Sequence, residues 1–216
     1  VSYALRSYFR SSASWRVRIA LNHKGLPYET VPVHLLREGG EQHGDEHRHL
    51  NPMEQLPVLL IDGTPLAQSL AILEYLEEVH PEPSLLPRDP LARARVRQLA
   101  EIVNSGIQPV QNLFVMQQLG AQLGADRQAQ QAWSRFFIER GLRALEALVA
   151  AYGGIYSVGD GISIADVCLV PQLYNARRFS VDLSHVPRLT AIEGRLASLP
   201  AFVAAHADHQ PDAEVG

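Results

Sequence analysis

Cysteine is almost missing: one, Cys168, in 216 residues. No intramolecular disulfide can form, so a secreted disulfide scaffold is excluded. Long apolar runs are missing too, and none approaches the roughly 20 residues needed to cross a bilayer. The N-terminus lacks the basic-then-apolar pattern of a secretory leader, so a soluble cytoplasmic protein is expected. Positive charge is not in excess: 19 Lys and Arg against 23 Asp and Glu leave a formal net charge of -4, with a pI of about 6.1. That balance gives no support for a nucleic-acid or anionic-membrane partner. No internal repeat is evident. The composition, 46% hydrophobic and 19% charged, is that of an ordinary globular protein. A chain of this length buries enough surface to fold without disulfides or metal, as one large or two small domains.

A change of pattern along the chain separates two parts. "SYALRSYF" reads as a short strand ending at Arg10, and "SWRVRIALNHKG" switches to helical spacing that stops at Gly25. "YETVPV" is a second strand, so the opening is a βαβ unit with a parallel pair. "LPVLLIDGTPLA" reads as a hairpin turned at Asp62-Gly63, and "SLAILEYLEEVH" as an amphipathic helix. The expected order is βαβ-ββα, an α/β domain over residues 1–80. "PEPSLLPRDPLARA" carries four prolines and gives a linker over 81–89. From residue 90 to 216 strand signals nearly vanish and an all-α domain is expected. Pro109 should bend or break its first helix. The closing "HQPDAEVG" reads as a polar tail.

Several short motifs carry chemistry. In "RSSAS", Ser11 and Ser12 stand at a helix start, where unpaired N–H groups and the helix dipole favour an anion. A serine there is also an ordinary N-cap, and the residues alone leave both readings open. "NPMEQLPVL" places Leu56-Pro57 between a loop and a strand, cis or trans. Ser69, after Gln68, caps the helix of "AQSLAILEYLEE", whose exposed N–H groups can take a carboxylate. "SIAD" has the form of a capping box with a structural role, and Cys168 falls inside an apolar helix as a small buried hydrophobe. "HGDEHRH" has metal-like composition but no metal-ligand spacing, so it is read as a solvated charged loop and no metal is expected.

Together "SYFRSSASWRVRIAL", "LNPMEQLPVL", "QSLAILEYLEE", "GIQPVQNL" and "SIADVCLVPQLYNARRF" resemble the zeta class of the cytosolic glutathione transferases, whose members include maleylacetoacetate isomerases. The resemblance runs from Ser2 to the tail with motif order and spacing kept. It implies a thioredoxin-like N-terminal domain with an all-α C-terminal domain, glutathione as cofactor, and a homodimer. It assigns Ser11 to the glutathione thiolate, with Ser12 beside it. A hydroxyl and a helix end that lower a thiol pKa from about 8.5 by one or two units supply about 1.4 to 2.8 kcal/mol. A cis Pro57 would let Leu56 present its backbone to the cysteinyl part, Gln68 and Ser69 would hold the γ-glutamyl end, and Gln42 the glycine end. Gln108 and Asn112 would reach the ligand from the helical domain.

The activity implied is cis–trans isomerisation of maleylacetoacetate, a dianion, in phenylalanine and tyrosine breakdown. Arg10 and Arg178 are then the carboxylate anchors, because guanidinium offers paired donors in one plane. Arg178 is preferred over Arg177 by motif position. Two departures stand out. Ala13 occupies the place of the usual motif cysteine, and Leu113 the place where maleylpyruvate isomerases carry an arginine. The alternatives are a general glutathione transferase or peroxidase, a maleylpyruvate isomerase, and a silent glutathione-binding protein.

Overall fold

The computed structural model describes residues 1–213, which divide into two units: Val1–Ser84 with the chain from Ala197 onward, and Leu85–Leu196. The first unit begins with β1 (Tyr3–Ser7), α1 (Ser12–His23) and β2 (Glu29–Pro32). A short α2 (Asp45–Leu50) follows, then β3 (Val58–Ile61), β4 (Thr64–Ala67) and α3 (Ser69–Val79). The sheet order is β2-β1-β3-β4, with β1 parallel to β2 and antiparallel to β3, and β3 antiparallel to β4. This is the mixed sheet of the expected thioredoxin-like domain. Asp62 and Gly63 turn the hairpin with φ of 47° and 83°, the left-handed pair that matches strand twist. Gly25, at φ 64°, ends α1 as expected, and Leu26 N–H reaches back to Leu21 O at 2.9 Å.

Leu5, Ile19, Leu59 and Ile72 are fully buried, each contributing about 1.5 to 3 kcal/mol of apolar transfer. At the other end of α1, Lys24 is the only lysine in the chain. Its buried ammonium donates to Glu77 Oε2 at 2.8 Å and to the carbonyls of His80 and Pro83.

The second unit is helical. Asp89 caps α4 (Pro90–Glu101) by accepting Ala92 N–H at 2.7 Å, with Pro90 at the first helical position. The helix does not stop there but widens into a π-helical stretch, Ile102–Ile107, then a 3₁₀ turn, Pro109–Gln111. The expected break at Pro109 is therefore spread over the two turns before and after it. Gly141 makes room for this stretch: a Cβ there would fall 2.2 Å from Ile107 Cγ1. The remaining helices are α5 (Leu113–Leu123), α6 (Arg127–Tyr152), α7 (Ile164–Arg178) and α8 (Pro187–Leu196). Most of α7 is buried, Cys168 included. Ser163 and Asp166 form the capping box read from "SIAD".

Sequence pattern assigns everything after residue 89 to the helical part. The last helix, α9 (Pro200–Ala205), instead packs on α1 in the first unit. Its pattern is helical like its neighbours, and only long-range bonds to α1 place it. Among the described residues no helix is long and apolar enough to cross a membrane.

Candidate active site

Strand register gathers the first unit's candidates at one end of the sheet. The end of β1 pairs with the start of β3 (Arg6 with Val58), and the start of β3 with the end of β4 (Val58 with Ala67). Ser7 at the end of β1 also pairs with Pro32 at the end of β2. The β1–α1 loop with Arg10 and Ser11, the Leu56-Pro57 bond, the Gln68-Ser69 step and the segment leading to Gln42 therefore all leave the sheet on the same side.

Ser11 is the N-cap of α1, and its Oγ accepts Ser14 N–H at 3.2 Å. A hydroxyl has one proton and two lone pairs, so the cap uses an acceptor and leaves the proton for an anion. Capping and thiolate binding are thus compatible. Ser12 is the first helical residue and is buried, as is Ala13. Arg10 donates to Tyr8 Oη at 3.3 Å and lies over the Phe9 ring. Among the described residues, two polar atoms near this helix start, Arg10 Nε and Ser14 Oγ, are buried without a hydrogen-bond partner. Orphaned buried polar atoms are uncommon in folded proteins and call for an explanation.

Gln42 is buried in a 3₁₀ turn, with its Nε2 2.9 Å from His43 Nε2 and its Oε1 without a partner among the described residues. Gly40, at φ 109°, lets that side chain fold back, since a Cβ there would meet Gln42 Nε2 at 2.5 Å. His43 is anchored in turn by Glu54, which holds the Glu54 carboxyl below its ordinary value together with Arg48. The charged loop read from "HGDEHRH" is in fact α2, and its His47 is buried, bonded to Gln55 O at 3.0 Å. Six mostly polar residues hide a helix whose inward face is one histidine wide.

The Leu56-Pro57 bond is cis. Ser69 is not the cap of α3: Gln68 holds that position, at φ 72° and without a side-chain bond, and Ser69 is the first helical residue. Its hydroxyl instead accepts Arg16 Nη1 at 3.1 Å, so a fully buried guanidinium lies behind the helix start.

In the helical unit, Gln108 closes the π-helical stretch and Asn112 caps α5 by accepting Phe114 N–H at 3.2 Å. A buried amide pair, Gln111 with Gln172, fixes the turn between them. Arg177 is engaged by both oxygens of Glu193. Arg178 bonds Asn175 Oδ1 within α7 at 3.2 Å.

Sequence reasoning missed Arg16, Arg18 and Asp212. Arginines on an otherwise apolar α1 were the available signal. Arg18 is fully buried, and burial lowers its pKa to about 10, so it stays charged at neutral pH.

Comparison with known proteins gives a consistent picture. The family model described as glutathione S-transferase, N-terminal domain, matches residues 10–79. Maleylacetoacetate isomerase of Rattus norvegicus is 51% identical over 96% of this chain and 94% of its own length. The maleylacetoacetate isomerase of Anaeromyxobacter dehalogenans, solved with glutathione in its active site, is 51% identical. It superposes with a TM-score of 0.89 over 99% of this chain and 98% of that one. A bacterial maleyl pyruvate isomerase, described as a zeta-class glutathione-S-transferase, is 44% identical with a TM-score of 0.94, over 98% of this chain and all of that one.

Proposed function

The chain belongs to the zeta class of glutathione transferases, the family of the maleylacetoacetate isomerases, and from that premise we propose that it isomerises maleylacetoacetate to fumarylacetoacetate with glutathione as cofactor. The observation that carries this reading is a Ser11 hydroxyl that caps α1 as an acceptor, with two polar atoms of the same helix start, Arg10 Nε and Ser14 Oγ, buried without a partner among the described residues. Such a cluster at a helix start is prepared for an anion.

Ser11 donates to the glutathione sulfur and keeps it ionised, with the start of α1 adding its partial positive charge. The thiolate adds to the conjugated double bond, whose electrons move into an enolate. The former double bond is then single and rotates. Collapse of the enolate expels the thiolate and leaves the trans product, so glutathione is regenerated. Ser12 adds its N–H at the same helix start. Arg10 binds a substrate carboxylate and stabilises the developing charge, and Arg178 is the helical unit's candidate for the same task. Gln42, the backbone of Leu56 beside cis Pro57, and Gln68 with Ser69 hold the tripeptide. Gln108 and Asn112 contribute from the helical unit. In this reading residues 1–80 bind glutathione, 81–89 link, and the helical part serves the substrate. A homodimer, a cytoplasmic setting and a place in tyrosine and phenylalanine breakdown go with it.

Leu113 favours maleylacetoacetate over maleylpyruvate, because no guanidinium stands at the start of α5. The test follows fumarylacetoacetate formation with and without glutathione, and with maleylpyruvate as competitor. Turnover that depends on glutathione supports the reading. Turnover without it, or none, rejects it.

Ala13 invites a second measurement. The mechanism takes its nucleophile from glutathione, so Ala13→Cys should leave turnover within about threefold, since a factor of three is under 1 kcal/mol of barrier. A gain of about a hundredfold would show that the enzyme needs a thiol of its own.

A further inference from the structure

The loop that carries Arg10 and Ser11 is gripped from two sides by groups far apart in sequence. From α1, the Arg18 guanidinium donates to Phe9 O at 2.8 Å, to Tyr8 O at 3.4 Å and to Ser7 Oγ at 2.9 Å. From the C-terminal segment, Asp212 Oδ2 accepts Phe9 N–H at 2.9 Å. The third arm of the guanidinium, Nε, donates to Ala205 O at 3.1 Å and so joins α9 to the same grip. Tyr8 O also accepts Ser11 N–H at 2.9 Å, so the gripped peptides pass directly into the helix cap.

This arrangement costs more than a simple tether would. Arg18 is fully out of water, and its direct partners are neutral oxygens, with Asp212 supplying the opposing charge nearby. A buried cation is expensive to desolvate, and hydrocarbon of similar volume often gives equal or better stability. Stability alone therefore explains it poorly. Geometry explains it better: β1 stops at Ser7, so Tyr8, Phe9 and Arg10 have no sheet partners to fix them, and the two clamping groups take over that task.

We propose that Arg18 and Asp212 clamp the Tyr8–Phe9 peptides so that Arg10 and Ser11 are held in working geometry, which makes the C-terminal segment a part of the thiolate site. Both are positioning residues, acting through Ser11 and Arg10. The inference rests on the isomerase reading for its kinetic part only.

Asp212 is the residue to change, since it is only half-buried while Arg18 is core. In full-length Asp212→Ala, kcat should fall about tenfold, well inside the hundredfold that a misplacement of about 1 Å brings. The KM for glutathione should stay within about twofold, because the tripeptide's other anchors do not touch Asp212. The melting temperature should fall by several degrees, because Asp212 also supplies the charge that opposes buried Arg18, so turnover and exchange are compared well below the midpoint, where the variant is folded. Amide exchange at Phe9, measured without ligand, should quicken about tenfold or more. Asp212→Asn keeps an oxygen for Phe9 N–H and should recover most of the lost turnover. The clamp is overturned if the alanine variant keeps kcat within twofold, if Phe9 exchange is unchanged, if the asparagine variant is no better than alanine, or if activity falls only in step with unfolding. A wild-type protein without isomerase activity would sink the reading of function, and Phe9 exchange would still decide the clamp.

Discussion

Ser11→Ala should lower turnover of maleylacetoacetate by about 10² to 10³-fold, the loss seen when one preorganised donor to a developing or held anion is removed. Glutathione affinity should change far less, because in the proposed reading Gln42, the Leu56 backbone, Gln68 and Ser69 hold the rest of the tripeptide. The pH profile should move with it. A bound thiol deprived of its donor ionises at higher pH, so the acid limb of the rate profile should rise by about one unit for each 1.4 kcal/mol lost. Because Ser11 also caps α1 through Ser14 N–H, alanine should cost about 1 kcal/mol of stability as well. Ser11→Gly separates the two duties, since glycine is a fair cap with no hydroxyl. It should be as slow as alanine and more stable. Turnover within a few-fold of wild type in either variant would remove Ser11 from the chemistry, and Ser12→Ala would be the next variant to make.

What the sequence reveals and what it hides follow from how local each determinant is. The Asp62-Gly63 turn, the Gly25 stop and the Ser163–Asp166 box are decided within a few residues, and all three stand as read. The strand expected to run to Arg10 ends at Ser7 because Tyr8 and Phe9 bond to Arg18 and Asp212, the latter some two hundred positions away. The polar tail is misread for the same reason: Gln210 is buried, bonding Ala204 O and His206 O, and Asp212 holds the site loop. Residues 214–216 of that tail lie outside the described part. Ser69 reads as a cap by composition, yet its hydroxyl is taken by Arg16 from another helix. Motif and resemblance name the candidate site residues of the first unit, and strand register brings them to one end of the sheet. The layer behind them is harder to read: arginines on an otherwise apolar α1 signal that Arg16 and Arg18 are buried but not what they hold, and His43 and Asp212 have no local signature at all.

Asp166→Ala should be the most destabilising single change in the helical unit, by about 3 to 5 kcal/mol, the cost of removing one partner from a buried charged network. The carboxylate is fully buried and takes at least three donors: Ser157 N–H at 2.9 Å, Ser163 N–H at 2.8 Å and Ser163 Oγ at 2.7 Å. Burial pushes the Asp166 carboxyl above its ordinary value, and those donors pull against it. Alanine leaves all three donors buried without an acceptor, at about 1 to 3 kcal/mol each before relaxation. An exposed cap such as Asp89 loses only about 1 kcal/mol on the same change, since water replaces the carboxylate. The damage spreads because α7 is the buried helix of its unit and Asp166 secures its first turn. Chemical denaturation should show a lower midpoint with an unchanged slope. Asp166→Asn, which keeps one oxygen acceptor, should fall between the two. Well below the midpoint, turnover per folded molecule should stay near wild type, because Asp166 holds the start of α7 and Arg178 stands at its far end. A midpoint within about 1 kcal/mol of wild type would mean that Ser157 and Ser163 find other acceptors and that the box is dispensable.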